Sequence, residues 1–180
     1  DKHWSRGLGD VYKRQGEGLG NQFLANIREV DAIIHVLRCF DDSDITHVEN
    51  SVDPIRDAAT VETELMLADM ESLERRMAAL VKKTRGGDKQ AAADLALMEK
   101  LFADLSEGLP ARTVNRLTDA EALRLPQLNL LTAKPVLYAC NVSEHDSAKG
   151  NTLSAEVAEK AEEEGAACVI VSAAIEAEIA

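Results

Sequence analysis

Three strand-like apolar segments each end in residues that could recognise a planar ligand. Phe40 follows DAIIHVLRC, the run Asn141 to Glu144 (NVSE) follows PVLYAC, and the run Ser172 to Ala174 follows AACVIV. An aromatic ring can stack on a heterocycle, an asparagine amide donates and accepts hydrogen bonds, and a turn of small residues offers backbone N–H groups. These groups together suit a purine base. Polar turns after strands are also common for purely structural reasons, so the pattern alone leaves both interpretations open.

These residues can act together only if the strands that carry them lie side by side. From residue 129 onward the chain alternates between strand PVLYAC, a helix with Asn151 as its cap, strand AACVIV and a further helix start. That order, with short loops, predicts an α/β fold with a parallel sheet and right-handed crossovers. The continuous apolar run DAIIHVLRCF predicts a central strand that is buried on both faces. In such a sheet the three strand ends meet at one edge, where open α/β sheets bind their ligands.

A helical hairpin is predicted between the first and second strands. Apolar residues recur there at spacings of three and four, at Met66, Met70, Leu73, Met77 and Leu80, and again at Leu95, Met98, Phe102 and Leu105. Gly86 and Gly87 can end the first helix, and Asp88 can cap the second. Such a repeat is more simply explained as the core of the hairpin than as a binding stripe.

Composition restricts the partners and the location of the protein. The chain has 180 residues, 46% hydrophobic and 29% charged, which is enough for about one domain plus an appendage. Its net charge of −12 argues against wrapping nucleic acid, so any contact with phosphate needs a local basic patch. No apolar run reaches about 18 residues and the N-terminus does not resemble a signal peptide, which favours a cytoplasmic protein without a membrane partner. Cys39, Cys140 and Cys168 lie in apolar runs without metal-binding spacing, so we expect buried free thiols and no metal ligands.

Longer segments resemble one known family. They are GEGLGNQFLANIREVDAI, RCFDDSDITHVENSVDPIRD, the RGGDK turn, LTAKPVLYACNVSE and SAAIEAEIA, in this order between Gly16 and Ala180. These segments resemble the YchF family of Obg-like ATPases, a branch of the P-loop GTPase superfamily. The resemblance implies a partial P-loop NTPase (Rossmann-like) parallel sheet with an inserted antiparallel helical hairpin, or coiled coil. It divides the chain into a non-native leader (1–15), the first part of a nucleotide-binding domain (16–53), the hairpin (54–128) and the truncated second part of the nucleotide-binding domain (129–180).

The resemblance also assigns roles to the residues at the strand ends. In the family, NxxE replaces the NKxD segment with which ordinary GTPases recognise guanine, and Asn141 to Glu144 match NxxE. Loss of the aspartate removes the acceptor for the N1–H and amino groups of guanine, so the resemblance implies ATP as the preferred nucleotide and GTP as a weaker one. The residues implied to bind the nucleotide are Phe40, Asn141, Val142, Glu144, Ser172, Ala173 and Ala174. An ordinary GTPase remains an alternative.

One histidine is implied to take part in hydrolysis. His47, in the segment DITHV, matches a histidine proposed in the family as the catalytic group. Its implied role is to orient or polarise the water that attacks the γ-phosphate of ATP. A loop histidine that caps nearby carbonyl groups is an equally open alternative.

Several parts of a nucleotide hydrolase are missing from this sequence. It contains no GxxxxGK[ST] phosphate-binding loop, and no DxxG precedes Gly16. The ligands of the Mg²⁺ that accompanies ATP belong to these motifs, and the family carries a C-terminal TGS domain that the sequence also lacks. We therefore expect a fragment of a larger ATP hydrolase, inactive alone, in which residues 1–15 replace the natural upstream sequence.

A second function class concerns the tip of the predicted hairpin. Basic residues concentrate there in an otherwise acidic chain, and those expected to contact RNA are Lys82, Lys83, Arg85 and Lys89. Arg and Lys bind phosphates without reading sequence, and the family associates with ribosomes. The tip is therefore a candidate contact to the ribosome or its RNA, and not to a specific DNA sequence. A solvated helix face with Glu–Arg pairs explains the same residues equally well.

Overall fold

The computed structural model describes residues 20–41 and 52–179 of the chain. The helices in these ranges are α1 (Asn21–Glu29), α2 (Pro54–Thr84), α3 (Lys89–Ser106), α4 (Asp119–Ala122), α5 (Thr152–Glu164) and α6 (Ala173–Ile179). The strands are β1 (Ile33–Arg38), β2 (Val136–Asn141) and β3 (Ala167–Val171). Short 3₁₀ helices span Ala111–Thr113, Leu125–Leu128, Leu131–Ala133 and Glu144–Asp146. The chain divides into two compact units, which we call the helical unit (20–30 and 61–134) and the sheet unit (31–41, 52–60 and 135–179).

The sheet unit contains a parallel sheet with the strand order β1-β2-β3. Arg38 is the register partner of Asn141, and Asn141 is the register partner of Val171, so the three strands end at the same edge. Helix α5 connects β2 to β3, as a parallel pair of consecutive strands requires. The predicted α/β class with a small parallel sheet is therefore confirmed.

Strand β1 is not buried on both faces, and that prediction is wrong for the described residues. β1 is an edge strand of the three-stranded sheet, and the side chains of Ile34 and Val36 are 66% and 63% exposed. Leu37 and Cys39, which alternate with them onto the opposite face, are buried. A continuous apolar run indicates strand propensity and length, but it does not reveal which faces of the strand have packing partners.

The buried face of the sheet packs against two helices. Leu37 of β1 and Tyr138 of β2 form one apolar cluster with Ala58 of α2 and Val157 of α5. Each large side chain buried in this way stabilises the fold by about 1.5–3 kcal/mol. The packing fixes the direction of the strands and therefore the position of their ends.

The three cysteines are free thiols within this core, as the sequence predicts. Cys39 and Cys140 are buried and Cys168 is half-buried, with its Sγ 3.6 Å from that of Cys140. Burial raises the pKa of the Cys168 thiol to about 11. The hydrogen bond with Cys39, followed by burial, raises the pKa of Cys140 as well. Both of these thiols are therefore protonated at neutral pH.

Helices α2 and α3 contribute to one apolar core in the helical unit. Most of the predicted repeat lies in this core or packs against it, namely Met66, Met70, Leu73, Met77, Leu80, Met98, Phe102 and Leu105. Two buried members on α3, Leu97 and Leu101, are not part of the predicted repeat, and Leu95 is not in the cluster. Leucines at neighbouring positions allow more than one repeat with spacings of three and four, so the sequence pattern did not define the buried face of α3 uniquely.

The connection between α2 and α3 follows the predicted turn chemistry. α2 ends at Thr84, and Gly87 adopts a left-handed conformation with φ of 84°. The Asp88 carboxylate then accepts hydrogen bonds from the N–H groups of Gln90 (2.9 Å) and Ala91 (3.0 Å), which lie in the first turn of α3. The glycine stop and the aspartate cap are both present where the sequence placed them.

A buried carboxylate organises the segment that precedes β2. Asp69 of α2 is fully buried and accepts hydrogen bonds from Leu131 N–H (2.9 Å), Thr132 N–H (2.8 Å) and Thr132 Oγ1 (2.8 Å). Arg28 of α1 lies 3.5 Å from the same carboxylate. Burial nevertheless raises the pKa of Asp69, because desolvation outweighs these favourable contacts.

Candidate functional site

The edge at which the three strands end brings most of the predicted nucleotide-binding residues together. Asn141 is the last residue of β2, Phe40 lies two residues beyond β1, and Ser172 follows β3 directly. The main chains are joined here by hydrogen bonds from Cys39 N–H to Asn141 C=O (2.8 Å) and from Val142 N–H to Val171 C=O (2.9 Å). The edge thus has the topology that the predicted site requires, and the roles of the individual side chains stay predictions.

The Asn141 side chain has a defined orientation at this edge. Its Oδ1 accepts a hydrogen bond of 2.9 Å from the N–H of Ala173, the first residue of α6. One of the N–H groups expected to be free is therefore occupied by the protein itself. Because the amide oxygen is used in this way, Nδ2 is the group that Asn141 can offer to a ligand. A donor matches N7, an acceptor that adenine and guanine share, so Asn141 can orient a purine without choosing between the two.

The aromatic ring at the edge has a cationic neighbour, Arg38, which is not among the residues predicted from the sequence. The guanidinium carbon of Arg38 lies 5.1 Å from the ring centroid of Phe40, and Arg38 Nε donates to the Phe40 carbonyl at 3.1 Å. This is a cation–π geometry and it covers one face of the ring. A base could stack on the other face. Arg38 could have been found from the sequence, because residues two apart along an extended chain project to the same side.

The remaining residues of the predicted set differ in how accessible they are. The side chain of Val142 is 2% exposed and belongs to the apolar cluster beneath the sheet, so a contact from Val142 to a base would come from its main chain. Ser172 is 4% exposed, and in the described part of the chain its hydroxyl has no hydrogen-bond partner. A buried polar atom without a partner is uncommon in folded proteins. Ala173 and Ala174 are exposed in the first turn of α6, where backbone N–H groups lack partners within the helix.

A hydrogen-bonded turn carries Glu144. Glu144 is exposed at the start of the 3₁₀ helix Glu144–Asp146, and its carbonyl accepts from Ser147 Oγ at 2.8 Å. The Asp146 carboxylate accepts from Asn151 Nδ2 (3.0 Å) and Ser143 Oγ (3.0 Å). These two hydrogen bonds, chiefly the one from Asn151, lower the pKa of Asp146. The sequence identified Asn151 only as a helix cap and did not single out Asp146.

Some of the predicted residues lie outside the ranges that the structure describes, and the described ranges contain neither a metal-binding group nor a membrane-spanning helix. His47 and the leader 1–15 lie outside the described ranges. Within those ranges, no three His, Cys, Asp or Glu side chains are grouped to hold a metal ion. None of the helices described there combines the length and apolarity needed to span a lipid bilayer.

The basic residues predicted to contact RNA surround the turn between α2 and α3. Lys82 and Lys83 lie in the last turn of α2, Arg85 lies in the turn and Lys89 begins α3, and all four are exposed. Arg76, an earlier basic residue of α2, instead donates to the carbonyl of Leu128 at 2.7 Å. Cations at a helix C-terminus also complement the helix dipole, so Lys82 and Lys83 have a structural role available.

Proteins with assigned names match most of this chain. The Ribosome-binding ATPase YchF of Haemophilus influenzae is 48% identical over 166 residues, which cover 92% of this chain and 45% of the relative. The protein of the same name from Bacillus subtilis is 46% identical over 168 residues, covering 92% and 46%. A solved structure described as the Schizosaccharomyces pombe YchF GTPase has a TM-score of 0.78 at 38% identity, covering 88% of this chain and 44% of that one. This chain belongs to the YchF family.

The match to a solved YchF structure agrees with the fold described above. No protein-family model matches the chain. The chain spans about half the length of the curated YchF proteins that it matches. The bacterial relatives are named as ATPases, whereas the yeast structure is described as a GTPase. The names of these relatives therefore do not decide whether this YchF family member prefers ATP or GTP, and the preference has to be argued from the residues of its own candidate site.

Proposed function

We propose that this chain supplies the base-recognition part of a YchF-type nucleotide hydrolase that prefers ATP to GTP. The observation that carries the base-recognition part of this proposal is the hydrogen bond from Ala173 N–H to Asn141 Oδ1, which leaves Nδ2 as the group that Asn141 can offer to a base at the edge that also carries Phe40. Stacking on the aromatic ring and one hydrogen bond to N7 are the two contacts that a purine base needs for orientation. The buried, unpartnered hydroxyl of Ser172 at the same edge is a further polar group for a ligand to satisfy.

The proposed preference for adenine depends on a hydrogen-bond acceptor that guanine requires. A guanine-specific site needs an acceptor for the N1–H and amino groups of the base, and the aspartate of NKxD supplies it in ordinary GTPases. Here the corresponding position is Glu144, an exposed residue at the start of a 3₁₀ helix. Without an acceptor held against those two donors, guanine loses the advantage that an ordinary GTPase gives it.

Hydrolysis of ATP by a YchF-type hydrolase would involve groups beyond the described edge. The Mg²⁺ that accompanies ATP would neutralise the developing charge on the phosphates. His47 is proposed to position the attacking water. Because the sequence contains no GxxxxGK[ST] loop to hold the phosphates and this Mg²⁺, we propose that the 180-residue chain alone does not hydrolyse ATP. A cytoplasmic location accompanies this proposal.

Titration of the ¹⁵N-labelled chain with adenosine and with guanosine, followed by NMR, tests the base site without requiring phosphate contacts. We expect adenosine to shift the Asn141 side-chain amide and the backbone amides of Ala173 and Ala174, with guanosine binding more weakly. Phe40→Leu should weaken adenosine about tenfold, because stacking of a base on an aromatic ring contributes about 1–3 kcal/mol. Phe23→Leu, at an exposed aromatic residue of α1, is the matched control and should change nothing. Equal effects of the two substitutions, or stronger binding of guanosine, would contradict the proposal.

A second candidate function is contact with ribosomal RNA through the exposed basic residues between α2 and α3. Four exposed cations on adjacent turns of a chain with net charge −12 are the observation that favours it. The test is co-sedimentation of the chain with ribosomes at increasing salt. Reversal of the charges at Lys82, Lys83 and Arg85 to Glu should abolish co-sedimentation, whereas Lys82→Arg, Lys83→Arg and Arg85→Lys together should preserve it. Retention that is indifferent to charge reversal would eliminate this function.

A further inference from the structure

One side chain of the sheet unit makes hydrogen bonds to both sides of the candidate base site. Asn151 is the N-cap of α5, and its Oδ1 accepts from Ser154 N–H at 3.1 Å. Its Nδ2 donates to the carbonyl of Cys39 at 2.7 Å and to Oδ2 of Asp146 at 3.0 Å. Helix capping needs only the oxygen of this amide. The nitrogen is therefore available to connect two segments that are distant in the sequence.

The first of these segments is the end of β1. Cys39 immediately precedes Phe40, and its N–H donates to the carbonyl of Asn141 at 2.8 Å. With its C=O held by Asn151, Cys39 has both main-chain groups engaged. The position of the Phe40 backbone therefore depends on Asn151 as well as on β2.

The second segment is the turn that carries Glu144. The Asp146 carboxylate accepts from both Asn151 Nδ2 and Ser143 Oγ, and the Asp146 carbonyl accepts from Gly150 N–H at 2.7 Å. These bonds flank Glu144 on both sides along the chain. Because the hydrogen bond from Asn151 is the leading cause that lowers the pKa of Asp146, this carboxylate is ionised at neutral pH and is a strong acceptor there.

We propose that Asn151 is a positioning residue that fixes the separation between Phe40 and the Asn141–Glu144 turn, and thereby sets the affinity of the edge for adenine. The inference rests on the proposed base site and deepens it. A stacking ring and a hydrogen-bonding turn must be held at a fixed separation for a flat base to meet both, and small displacements are costly. Asn151 joins the two directly, through donors on one nitrogen atom. It would act on the ligand only through the segments that it holds.

Two substitutions separate this role from helix capping. Asn151→Asp keeps an oxygen that can accept from Ser154 N–H, but it places a second oxygen against the Cys39 carbonyl and the Asp146 carboxylate. Ser154→Ala removes the reciprocal hydrogen bond of the capping box, from Asn151 N–H to Ser154 Oγ, and leaves both Nδ2 contacts intact. Ser154→Ala therefore weakens the start of α5, whereas Asn151→Asp retains an N-cap. Only Asn151→Asp releases Cys39 and Asp146.

The test combines hydrogen exchange and adenosine titration on the full 180-residue chain. Asn151→Asp should speed exchange both at the bonded amide of Cys39 and at those of Asp146 and Ser147, and it should weaken adenosine about tenfold, the size expected for loss of one well-placed hydrogen bond. Ser154→Ala should lower the melting temperature without changing exchange at Cys39 or the affinity for adenosine. Equal effects of the two variants on exchange at Cys39 and on adenosine would reduce Asn151 to a helix cap and overturn the proposal.

The same data distinguish failure of the positioning role from failure of the base site. If the unaltered chain shows no adenosine-dependent shifts while Asn151→Asp still speeds exchange at Cys39, Asp146 and Ser147, the base site is refuted and the connection made by Asn151 is supported. If adenosine binds at Asn141 and Asn151→Asp changes neither exchange nor affinity, the positioning role is refuted and the base site is supported.

Discussion

At the residue scale, Asn141 and Asn151 are both held by hydrogen-bond partners that lie far away in the sequence. Asn141 was identified from its place after an apolar run, and the structure puts it at the end of β2. Its orientation depends on Ala173, which lies 32 residues further along the chain, and no local pattern predicts such a contact. The same holds for Asn151, which the sequence showed as a helix cap and whose bond to Cys39 spans 112 residues. Short-range chemistry was predictable, and long-range pairing was not.

Asp69 provides a prediction about stability and pH. Asp69→Asn replaces one carboxylate oxygen by an amino group. This group faces at least one of the three donors, Leu131 N–H, Thr132 N–H and Thr132 Oγ1, so the substitution should destabilise the fold by about 2 kcal/mol. Burial raises the pKa of Asp69 in the folded state above its value in the unfolded chain, so the folded state binds the proton more tightly. This proton binding stabilises the fold fully at pH values below the pKa of the unfolded chain, and the contribution is lost as the pH rises through the pKa of the folded state. The difference between the original protein and the variant should therefore be largest in acid.

Urea denaturation at a series of pH values measures this difference. Asp94→Asn is the control, because Asp94 forms a partly exposed ion pair with Arg124 and such pairs contribute about 0–1 kcal/mol. A difference for Asp69→Asn that grows with pH would show that the hydrogen bonds to Asp69 outweigh its desolvation.

At the element scale, turn and cap signals were the most reliable features of the sequence. The glycine stop after α2, the Asp88 cap of α3 and the Asn151 cap of α5 are all present. Caps depend on residues within one turn, so the local sequence determines them. The burial of β1 and of α3 was predicted less well, because it depends on which other elements pack against each face.

Two glycines with left-handed backbones give a prediction about elements. Gly150 has φ of 72°, and a Cβ there would lie 2.5 Å from Ser154 Oγ and 2.7 Å from Ile170 Cδ1. Gly87 has φ of 84° and open space around it. Gly87→Ala should therefore cost about 1 kcal/mol for the backbone alone, and Gly150→Ala should cost about 1–3 kcal/mol more because of the overlap. Thermal unfolding of both variants provides the comparison, and equal losses would mean that the segment before α5 relaxes freely.

At the scale of the whole molecule, the resemblance to YchF proteins predicted more than any local sequence pattern did. It predicted the family that the comparisons confirm, whereas the strand-end pattern alone could not be separated from ordinary polar turns. The boundaries proposed for the nucleotide-binding domain and the hairpin stay predictions. The compact units found in the structure place α1 with the helical unit and residues 54–60 of α2 with the sheet unit.

At this scale, comparing the affinities of the chain for adenosine and for ATP tests whether it binds only the base. If the edge of the sheet binds only the base, ATP should bind this chain no more tightly than adenosine does, and Mg²⁺ should make no difference. Isothermal titration with both ligands, with and without Mg²⁺, measures this. Binding of ATP in the micromolar range that requires Mg²⁺ would show that the chain has a phosphate site of its own.

The proposed base site requires that adenine stacks on the Phe40 ring and accepts a hydrogen bond from Asn141 Nδ2. The most direct measurement is a set of intermolecular nuclear Overhauser effects between adenosine and the labelled chain. We expect contacts from the adenine protons to the ring of Phe40 and to the Asn141 Nδ2 protons, with none to the helical unit. Adenosine that binds while its protons contact neither of these two side chains would contradict the account.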